Sequence, residues 1–511
     1  MPPRNIDLHP QNHHPRELSS YHFDVIIIGT GPVGLTSGYR LASAGLSVAC
    51  ITDELYGGDC PFFACVPSKA LLRPAEALNA AKAVGGAREA IESHDIDVDA
   101  VFKRRDTILQ NWDDTFLLDI SANGGVTPVR GYARLAGVKQ VSVQPHGESE
   151  KFFLFAKFAV IIATGSTHAV PDIPGLDQLK EGEEYWTNRE ATTGNTVPEH
   201  LIILGGGAVG TEMATFYSRV GSKVTLITKS AEILPRVELE AARMVRKSLE
   251  ESGTSIRVAL EVKHIEKQGP NNMNVNLSNG ETISGSVILN AIGRKPRTYD
   301  IGLETIGLQG NGSPLAVNSS MVVNMPEFVE GNSPSEPWLY CVGDTNGLAP
   351  TTHMGIYQCR IATNSILQSI QQHHPTISIT TPRGFNNTEA KSWAPGTYPQ
   401  TIFTDPSIAT VGHTLASAKA AGLSVFAIDN NFAFPGAGLY GDLPGWARWV
   451  IEERTEKILG ATICSLEASD LLGSVSVAVT HGLSLKDMVH VVPPFPTRGE
   501  FWREMLNTAG Y

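Results

Sequence analysis

The sequence predicts an α/β fold with two Rossmann-like dinucleotide-binding domains, followed by a C-terminal α+β domain. Two observations indicate the dinucleotide-binding domains: an apolar strand, a glycine-rich turn and a helix occur twice in that order, and a later apolar strand ends in Gly-Asp. A change of pattern near Thr397 indicates the C-terminal domain. At 511 residues the chain exceeds what one hydrophobic core usually supports, so about two to four domains are expected.

The first copy of the pattern starts with the apolar run at 25–28 and continues through a helix to a second strand at 47–51. Its glycines are Gly29, Gly31 and Gly34. The first two permit a tight turn and a close approach of the backbone to a pyrophosphate, and the third lets helix and strand pack closely. The phosphate then lies at the helix N-terminus, where unpaired N–H groups favour an anion.

The second copy has its strands at 201–204 and 223–227, with Gly205, Gly207 and Gly210 between them. One motif of this kind is weak evidence, because glycine-rich turns also serve plain chain reversal. Two motifs in the correct strand and helix context predict two dinucleotide sites.

Composition excludes several classes of protein. The chain has 52 Asp and Glu against 40 Lys and Arg, a formal charge of -12, and no dense basic run, which disfavours nucleic-acid binding. Its longest apolar runs are far below the roughly 20 residues of a membrane helix. The N-terminal segment lacks the apolar core of a signal peptide. We therefore expect a cytoplasmic protein whose partners include neither nucleic acid nor membrane.

Cys60 and Cys65 directly follow the second strand of the first unit. Six cysteines in this length are too few for a disulfide scaffold, so a close pair in a reducing compartment is redox-active or metal-binding. Pro67 suits a first helical turn, which puts Cys65 at a helix N-terminus, where the thiol pKa falls. A zinc site needs a second Cys/His cluster with suitable spacing, so we expect no metal. An inert pair of buried thiols remains the alternative.

The last part of the chain begins with an apolar strand at 339–342 that ends in Gly343 and Asp344. An Asp at the C-terminal end of such a strand is well placed to meet a ligand. After a polar, Pro-containing stretch the composition changes, which predicts a separate α+β domain. Its expected elements are a strand at 400–403 and helices at 415–421 and 468–481.

These motifs resemble those of the class I pyridine nucleotide-disulfide oxidoreductases, of the dihydrolipoamide dehydrogenase, glutathione reductase and mercuric reductase type. The family signature GG-x-C-x(4)-C-x-P-S-K is matched at 57–69. The other matching segments are Ala163, Thr164 and Gly165, the pair Gly343 and Asp344, and the interface-domain motif at 403–412. The resemblance covers residues from about 23 to 505.

The resemblance implies an FAD-binding domain, a NAD(P)-binding domain and a C-terminal dimerisation domain. The expected bounds are 23–187 with 312–373 for FAD, 188–311 for NAD(P) and 397–511 for dimerisation. Residues 1–22 are expected to be a disordered tail, and 374–396 a linker. A homodimer is implied, because in the proteins that it resembles the C-terminal domain completes the partner's site across a two-fold interface.

The resemblance also implies a path for the electrons. Hydride passes from NADPH or NADH to FAD, two electrons pass to the Cys60–Cys65 disulfide, and a small-molecule acceptor receives them. Cys65 is expected beside the flavin and Cys60 towards the substrate. Lys69 matches the family lysine near flavin N5, which pairs with a glutamate, here Glu212. The alternative is a surface lysine and a packed glutamate.

Two departures from the family concern the acid that follows the second strand of each unit. In the first unit Thr52 is at the aligned position, and the neighbouring Asp53 is expected to bind the ribose instead. In the second unit the aligned residues contain no acid, and Lys229 and Arg236 favour NADPH over NADH. The expected catalytic residues are Cys60, Cys65, Lys69, Glu212 and Glu500. The expected cofactor-binding residues are Gly29, Gly31, Gly34, Asp53, Lys69, Ala163, Thr164, Gly165, Gly205, Gly207, Gly210, Lys229, Gly293, Arg294, Gly343 and Asp344.

The third departure concerns the C-terminal motif His-Pro-Thr-x-Ser-Glu, whose His is the family's acid/base for thiol exchange. Here Phe495 replaces the His, while Glu500 remains. A positioned acid/base contributes roughly 10²–10⁴-fold, so fast disulfide turnover is in doubt unless His490 substitutes. Phe62, Phe63 and Phe495 suggest an aromatic mouth for a flat acceptor; interface aromatics are the alternative. The last cysteine is Cys464, too far from the terminus for a C-terminal thiol pair.

Three hypotheses follow. The intact cysteine pair supports a dithiol or disulfide reductase. The loss of the family His supports an NAD(P)H:quinone or dye reductase with direct electron transfer from the flavin. A non-catalytic FAD-binding subunit is disfavoured, because both cofactor motifs and both thiols persist.

Overall fold

The computed structural model describes residues 6–91, 95–326, 336–441 and 445–511, which form five β-sheets. From the N-terminus to the crossing between domains, the elements are β1 His22–Ile28, α1 Pro32–Ser43, β2 Val48–Thr52, α2 Asp59–Phe62, α3 Cys65–Lys82, α4 Ala87–Ile91, α5 Val98–Ile108, α6 Thr115–Asn123, β3 Val126–Arg130, β4 Tyr132–Leu135, β5 Gln140–Gln144, β6 Phe152–Ile162 and β7 Ser166–His168. The next elements are β8 Tyr185–Trp186, α7 Asn188–Thr193, β9 His200–Leu204, α8 Ala208–Arg219, β10 Lys223–Ile227, α9 Leu239–Glu251, β11 Ser255–Arg257, β12 Val262–Gly269, β13 Asn272–Leu277, β14 Thr282–Gly285 and β15 Val287–Asn290.

The remaining elements return to the first sheet and then build the C-terminal domain. They are β16 Arg294–Pro296, β17 Leu339–Cys341, α10 Thr352–His373, β18 Gln400–Ile402, β19 Ser407–Gly412, α11 Leu415–Ala420, β20 Val425–Asn430, α12 Pro435–Gly438, β21 Trp446–Glu452, β22 Ile458–Ser465, α13 Ala468–His481, α14 Leu485–Met488 and α15 Phe501–Ala509. The described residues 374–399, between α10 and β18, carry no helix or strand.

The first sheet has the strand order β3-β2-β1-β6-β5-β4, with β17 beside β6. Strands β1, β2, β3, β6 and β17 pair in parallel, so their carboxyl ends meet at one edge. The apolar run at 25–28 is buried along its length, as a central parallel strand covered on both faces requires. The second sheet, β11-β10-β9-β15-β8, repeats this parallel arrangement around β9.

The C-terminal sheet, β18-β19-β22-β21-β20, is antiparallel throughout, and α13 and α15 pack against it. The predicted class, two Rossmann-like domains and an α+β domain, is therefore confirmed. In the described ranges, none of the helices has the length and apolar character that a membrane span requires.

The crossing between the two dinucleotide-binding domains differs from the expected bounds. Strand β8 belongs to the second sheet, although it precedes residue 188. The chain also returns to the first domain before residue 312, because Ile301 and Leu303 are buried in the core of the first sheet. Strands β7 and β16 pair where the chain crosses. These limits depend on long-range pairing, which a local pattern does not encode.

The expectation of a disordered tail over 1–22 is wrong for residues 6–22, which the structure describes; residues 1–5 lie outside the described residues. Ile6 and Leu8 pack against a buried apolar cluster, and Pro15 is buried. The backbone N–H of Arg130 donates a hydrogen bond to the carbonyl of His13. The polar, Pro-rich composition did not indicate these contacts. A few apolar side chains are enough to order a segment that packs on an already folded domain.

Candidate active site

A cleft of about 420 Å³ opens at the carboxyl ends of the parallel strands of the first sheet. Ligands bind at this edge in open α/β sheets. Nine of the expected cofactor-binding residues line the cleft: Gly29, Gly31, Asp53, Ala163, Thr164, Gly165, Arg294, Gly343 and Asp344. Cys60 and Thr352 also line it, so the cleft reaches the cysteine pair.

The first glycine turn has the shape that a bound diphosphate requires. Gly29 has φ +108°, and a Cβ there would lie 2.3 Å from the carbonyl oxygen of Ala163. A Cβ on Gly34 would lie 2.0 Å from the carbonyl oxygen of Gly29, so this glycine lets α1 pack on the turn. A Cβ on Gly31 would meet nothing within 4 Å, which leaves the N-terminus of α1 open to an anion. These residues fit the diphosphate of a dinucleotide.

The second glycine turn repeats this geometry. Gly205 has φ +113°, and its Cβ would lie 2.4 Å from the carbonyl oxygen of Ala291. A Cβ on Gly210 would lie 1.9 Å from the carbonyl oxygen of Gly205, whereas one on Gly207 would meet nothing within 4 Å. Lys229 follows β10, where the second strand ends; its side chain is 77% exposed and lies 3.4 Å from Glu261.

The first sheet also brings together the two motifs that follow β6 and β17. The backbone N–H of Gly165 donates to the Thr345 hydroxyl at 2.8 Å, and the Ser166 hydroxyl donates to the Asp344 carboxylate at 2.6 Å. Asp53 lies across the cleft, after β2. Burial, reinforced by the nearby charge of Glu54, raises the pKa of the Asp53 carboxyl.

Arg294 contacts protein groups with all three of its guanidinium nitrogens. Nε donates to the Ser166 hydroxyl at 2.7 Å, and the two amino groups donate to Asn188 at 3.0 Å and to Asp59 at 2.8 Å. Arg189 also donates to Asp59, at 2.8 Å. Burial opposes the ionisation of Asp59, but the two arginines hold its pKa below the usual value. Asp59 and Arg189 were missed from the sequence, although Asp59 directly precedes Cys60.

The two cysteines lie on either side of a short turn, with Cys60 in α2 and Cys65 as the first residue of α3, as predicted. Both are free, half-buried thiols. The Thr352 hydroxyl lies 3.2 Å from Sγ of Cys60 and 3.6 Å from Sγ of Cys65. Sequence patterns did not single out Thr352, because it comes from α10, almost 300 residues later in the chain.

The environment separates the acidities of the two thiols. The hydrogen bond from Cys60 lowers the pKa of Cys65 to about 6, against the effect of burial. Thr352 and the positive charge of Lys69 act in the same direction. The same thiol–thiol hydrogen bond, together with burial, raises the pKa of Cys60. Both effects make Cys65 the more acidic thiol of the pair.

The predicted ion pair between α3 and α8 is present: Nζ of Lys69 lies 2.8 Å from the Glu212 carboxylate. Glu212 is buried, and its other oxygen accepts a hydrogen bond from the backbone N–H of Phe403 at 3.0 Å. Lys69 also lies over the Phe403 ring, 4.5 Å from its centroid. Lys69 is thus held one turn after Cys65 rather than left on an open helix surface.

The C-terminal motif differs in part from the expectation. Phe495 is 66% exposed, but Phe62 and Phe63 are buried with Trp112, whose indole N–H donates to the Phe62 carbonyl at 3.0 Å. The predicted aromatic mouth of three phenylalanines is therefore wrong, because two of them pack into a core cluster. Glu500 is fully buried and bonds Arg503 at 2.8 Å.

The fold and this site define a class of protein: an oxidoreductase with two dinucleotide sites and a thiol pair at the first. The chain belongs to the pyridine nucleotide-disulphide oxidoreductase family, whose model matches residues 23–363. The model of that family's dimerisation domain matches residues 398–506. The protein is therefore an enzyme of this family, in which use of FAD and NAD(P)H is typical.

Individual relatives agree with this assignment. A dihydrolipoyl dehydrogenase of Chlorobaculum tepidum is 30% identical over 492 residues, covering 94% of this chain and 96% of that protein. A mercuric reductase of Lysinibacillus sphaericus is 25% identical, covering 94% and 82%. The solved structure of the HOCl-induced flavoprotein disulfide reductase RclA from Escherichia coli, in its Cu(II) complex, matches with a TM-score of 0.77 at 22% identity, covering 95% and 99%. That likeness shows the fold.

Proposed function

We propose that this protein is an FAD-dependent NAD(P)H oxidoreductase whose Cys60–Cys65 pair delivers two electrons to a small-molecule acceptor. The observation that carries the proposal is the position of the two thiols at the cleft, both within reach of the Thr352 hydroxyl. A bound flavin supplies two-electron chemistry between a nicotinamide and a thiol pair.

In this proposal the chain's own residues hold the cofactor. The turn of Gly29, Gly31 and Gly34 and the N-terminus of α1 bind the diphosphate. Asp53 bonds the ribose of the adenosine half. Gly343 and Asp344 hold the ribityl side, and the Ser166 hydroxyl fixes the Asp344 carboxylate there.

The cysteine pair stores the two electrons as a reduced dithiol. Two electrons and one proton convert the S–S bond into a Cys65 thiolate and a Cys60 thiol. The Lys69 ammonium stabilises negative charge beside Cys65, and Glu212 fixes that ammonium. Cys60, with its raised pKa, must lose its proton before it can attack an acceptor disulfide, so a base has to approach it.

A second candidate function is reduction of a quinone or dye, and the C-terminal motif favours it. Phe495 is the residue at the position of the family's acid/base, and it cannot take a proton from Cys60. The Glu500 carboxylate bonds Arg503 and the backbone N–H of Thr497. Electron transfer to a quinone needs no thiol proton transfer, so this function survives the loss of the base.

We further propose a homodimer in which Phe495 and Glu500 of one chain lie near Cys60 of the other. The dimerisation domain supports this, as do apolar side chains that it leaves exposed in the single chain. These are Leu439, Val477, Val489, Val492 and Phe495. NADPH is the proposed nucleotide, because the aligned residues after β10, Thr228 and Lys229, contain no acid, and Lys229 and the nearby Arg236 are cations.

Anaerobic titration of the purified protein tests the proposal. Addition of NADPH should reduce the flavin and produce the long-wavelength absorbance of a thiolate beside it, and Cys65→Ser should lack that band. A panel of lipoamide, glutathione disulfide and quinones then separates the two candidate functions: Cys60→Ser should abolish turnover of disulfides and spare that of quinones. A folded protein that cannot be reconstituted with FAD contradicts both.

A further inference from the structure

The N-terminal segment lies before residue 23, where the family match begins, yet it contacts the loop that leads from β2 to the cysteines. We call residues 6–14 the N-terminal strap and residues 53–56 the β2 loop. The β2 loop starts at the cleft and continues directly into the glycines that precede Cys60. Contacts on this loop therefore affect both the cofactor site and the cysteine pair.

The strap holds the β2 loop through its main chain. Nδ1 of His9 lies 2.5 Å from the carbonyl oxygen of Asp53, so Nδ1 carries a proton and donates it. The His9 ring stacks on His146, with centroids 3.6 Å apart and 4° between the ring planes. This contact fixes the backbone of Asp53 and does not use its carboxyl group.

Arg130, at the end of β3, ties the strap to the same loop. Its backbone N–H donates to the carbonyl of His13 at 3.0 Å, and Nε donates to the Asn12 side chain at 3.2 Å. One amino group donates to the carbonyl of Glu54 at 2.7 Å, and the other to the Asp114 carboxylate at 2.7 Å. Because Arg130 is buried, these hydrogen bonds are shielded from water.

The apolar side chains of the strap reach the cysteine turn. Ile6 and Leu8 pack against a buried cluster whose members are Leu55, Phe62, Phe63, Leu109 and Trp112. Phe62 and Phe63 are two of the four residues between the redox cysteines. The strap thus contacts both the β2 loop and the turn that sets the spacing of the thiols.

We propose that the N-terminal strap is a positioning element for the flavin site. It holds the β2 loop where Asp53 meets the adenosine ribose, and it keeps the turn between the cysteines packed. The inference rests on the proposed function, because it concerns the retention of FAD. Leu8, His9 and Arg130 are its positioning residues.

Three variants and a matched control test the proposal. His9→Ala removes one hydrogen bond and should raise the FAD dissociation constant by roughly 3- to 10-fold. Leu8→Ser should have an effect of similar size, and deletion of residues 1–14 should raise the constant by about 30-fold or more. Leu18→Ser is the control, because Leu18 follows the strap but packs on the core of the first sheet. It should lower Tm and leave FAD affinity unchanged.

Two readouts besides turnover distinguish positioning from general stability. The first is FAD release, measured by the recovery of flavin fluorescence. The second is the rate at which iodoacetamide alkylates the cysteine pair in the reduced apoprotein; the deletion should increase it, because Phe62 and Phe63 lose packing. If the deletion variant does not fold, the FAD dissociation constants of His9→Ala and Leu8→Ser test the proposal.

The outcomes separate the two proposals. If the wild type retains FAD and His9→Ala, Leu8→Ser and the deletion retain it equally well, the strap proposal is overturned and the proposed function stands. An equal loss of affinity in Leu18→Ser would also overturn it, since any destabilisation would then suffice. A folded wild type that never binds FAD overturns the proposed function, and the strap proposal with it.

Discussion

The two glycine turns share one backbone geometry but lie in different surroundings. Cβ atoms on Gly29 and Gly205 would lie 2.3 and 2.4 Å from the carbonyl oxygen of the facing strand end. Those on Gly34 and Gly210 would lie 2.0 and 1.9 Å from the first glycine of their own turn. The backbone therefore offers both dinucleotides the same approach.

The surroundings differ at the end of the second strand of each unit. In the first unit Asp53 lines the cleft that reaches the cysteine pair, and His9 of the strap bonds its main chain. In the second unit Lys229 projects with 77% of its side chain exposed, beside Glu261. Under the proposed function the turn binds a diphosphate in either unit, and the added contacts suit the first to a retained cofactor and the second to one that exchanges.

The largest effect is expected from placing the same side chain, valine, in the diphosphate site of each glycine turn. Val at Gly31 or Gly207 meets no protein atom within 4 Å at its Cβ, so the chain should fold, but the side chain would occupy the space of the diphosphate. Gly31→Val loses two or three charge-assisted hydrogen bonds, which lowers FAD affinity by about 1,000-fold or more and yields colourless protein. Gly207→Val should remain yellow and lose reduction by NADPH. Absorbance at the flavin band and anaerobic titration with NADPH test the two variants. If both variants are yellow, or both are colourless, the two turns do not have the different roles that we propose.

The next effect concerns the cysteine pair, which adjoins the first unit. Because Cys65 is the more acidic thiol, Cys65→Ser should abolish the long-wavelength band of the reduced enzyme and lower disulfide turnover by about 1,000-fold. Cys60→Ser should show that band even before reduction. The pKa of Cys65 lies at about 6, below its usual value, so the band should be full at pH 8 and fade as the pH falls through that pKa. Exchanged spectra of the two variants would reverse the assignment.

The sequence predicted what a local motif encodes. The glycine turns, the start of α3 at Cys65 and the ion pair of Lys69 with Glu212 follow from short spacings inside one βα unit or from the resemblance. It missed what distant segments bring together. The packing of residues 6–22, the burial of Phe62 and Phe63, and the contacts of Arg294 all depend on partners far away in the chain. Local periodicity cannot specify such partners.

Phe495→His tests whether an acid/base is all that the thiol pair lacks. Glu500 is already buried in the motif, five residues after position 495, and Arg503 and the backbone N–H of Thr497 are its present partners. Turnover of lipoamide or disulfides should rise by roughly 100- to 1,000-fold, the lower part of the range for a positioned proton-transfer group. Quinone reduction should change little. If Phe495→His does not raise disulfide turnover and the wild type already reduces disulfides rapidly, another group, such as His490, supplies the proton.

The smallest effect is expected at the open end of the second unit. Lys229 is exposed and paired with Glu261 at 3.4 Å, so it can turn towards a 2′-phosphate at little cost in packing. Lys229→Ala should raise KM for NADPH by roughly 3- to 10-fold and leave KM for NADH unchanged, because a single exposed charge pair contributes about 1 kcal/mol. Glu261→Gln should lower KM for NADPH, since it removes the competing carboxylate.

Lys223→Ala, at the other end of β10, is the matched control and should change neither constant. Steady-state kinetics with both nucleotides, at low and high salt, check this. An equal loss with NADH would mean that Lys229 binds the shared diphosphate, and the second site would then lack the cation that favours NADPH.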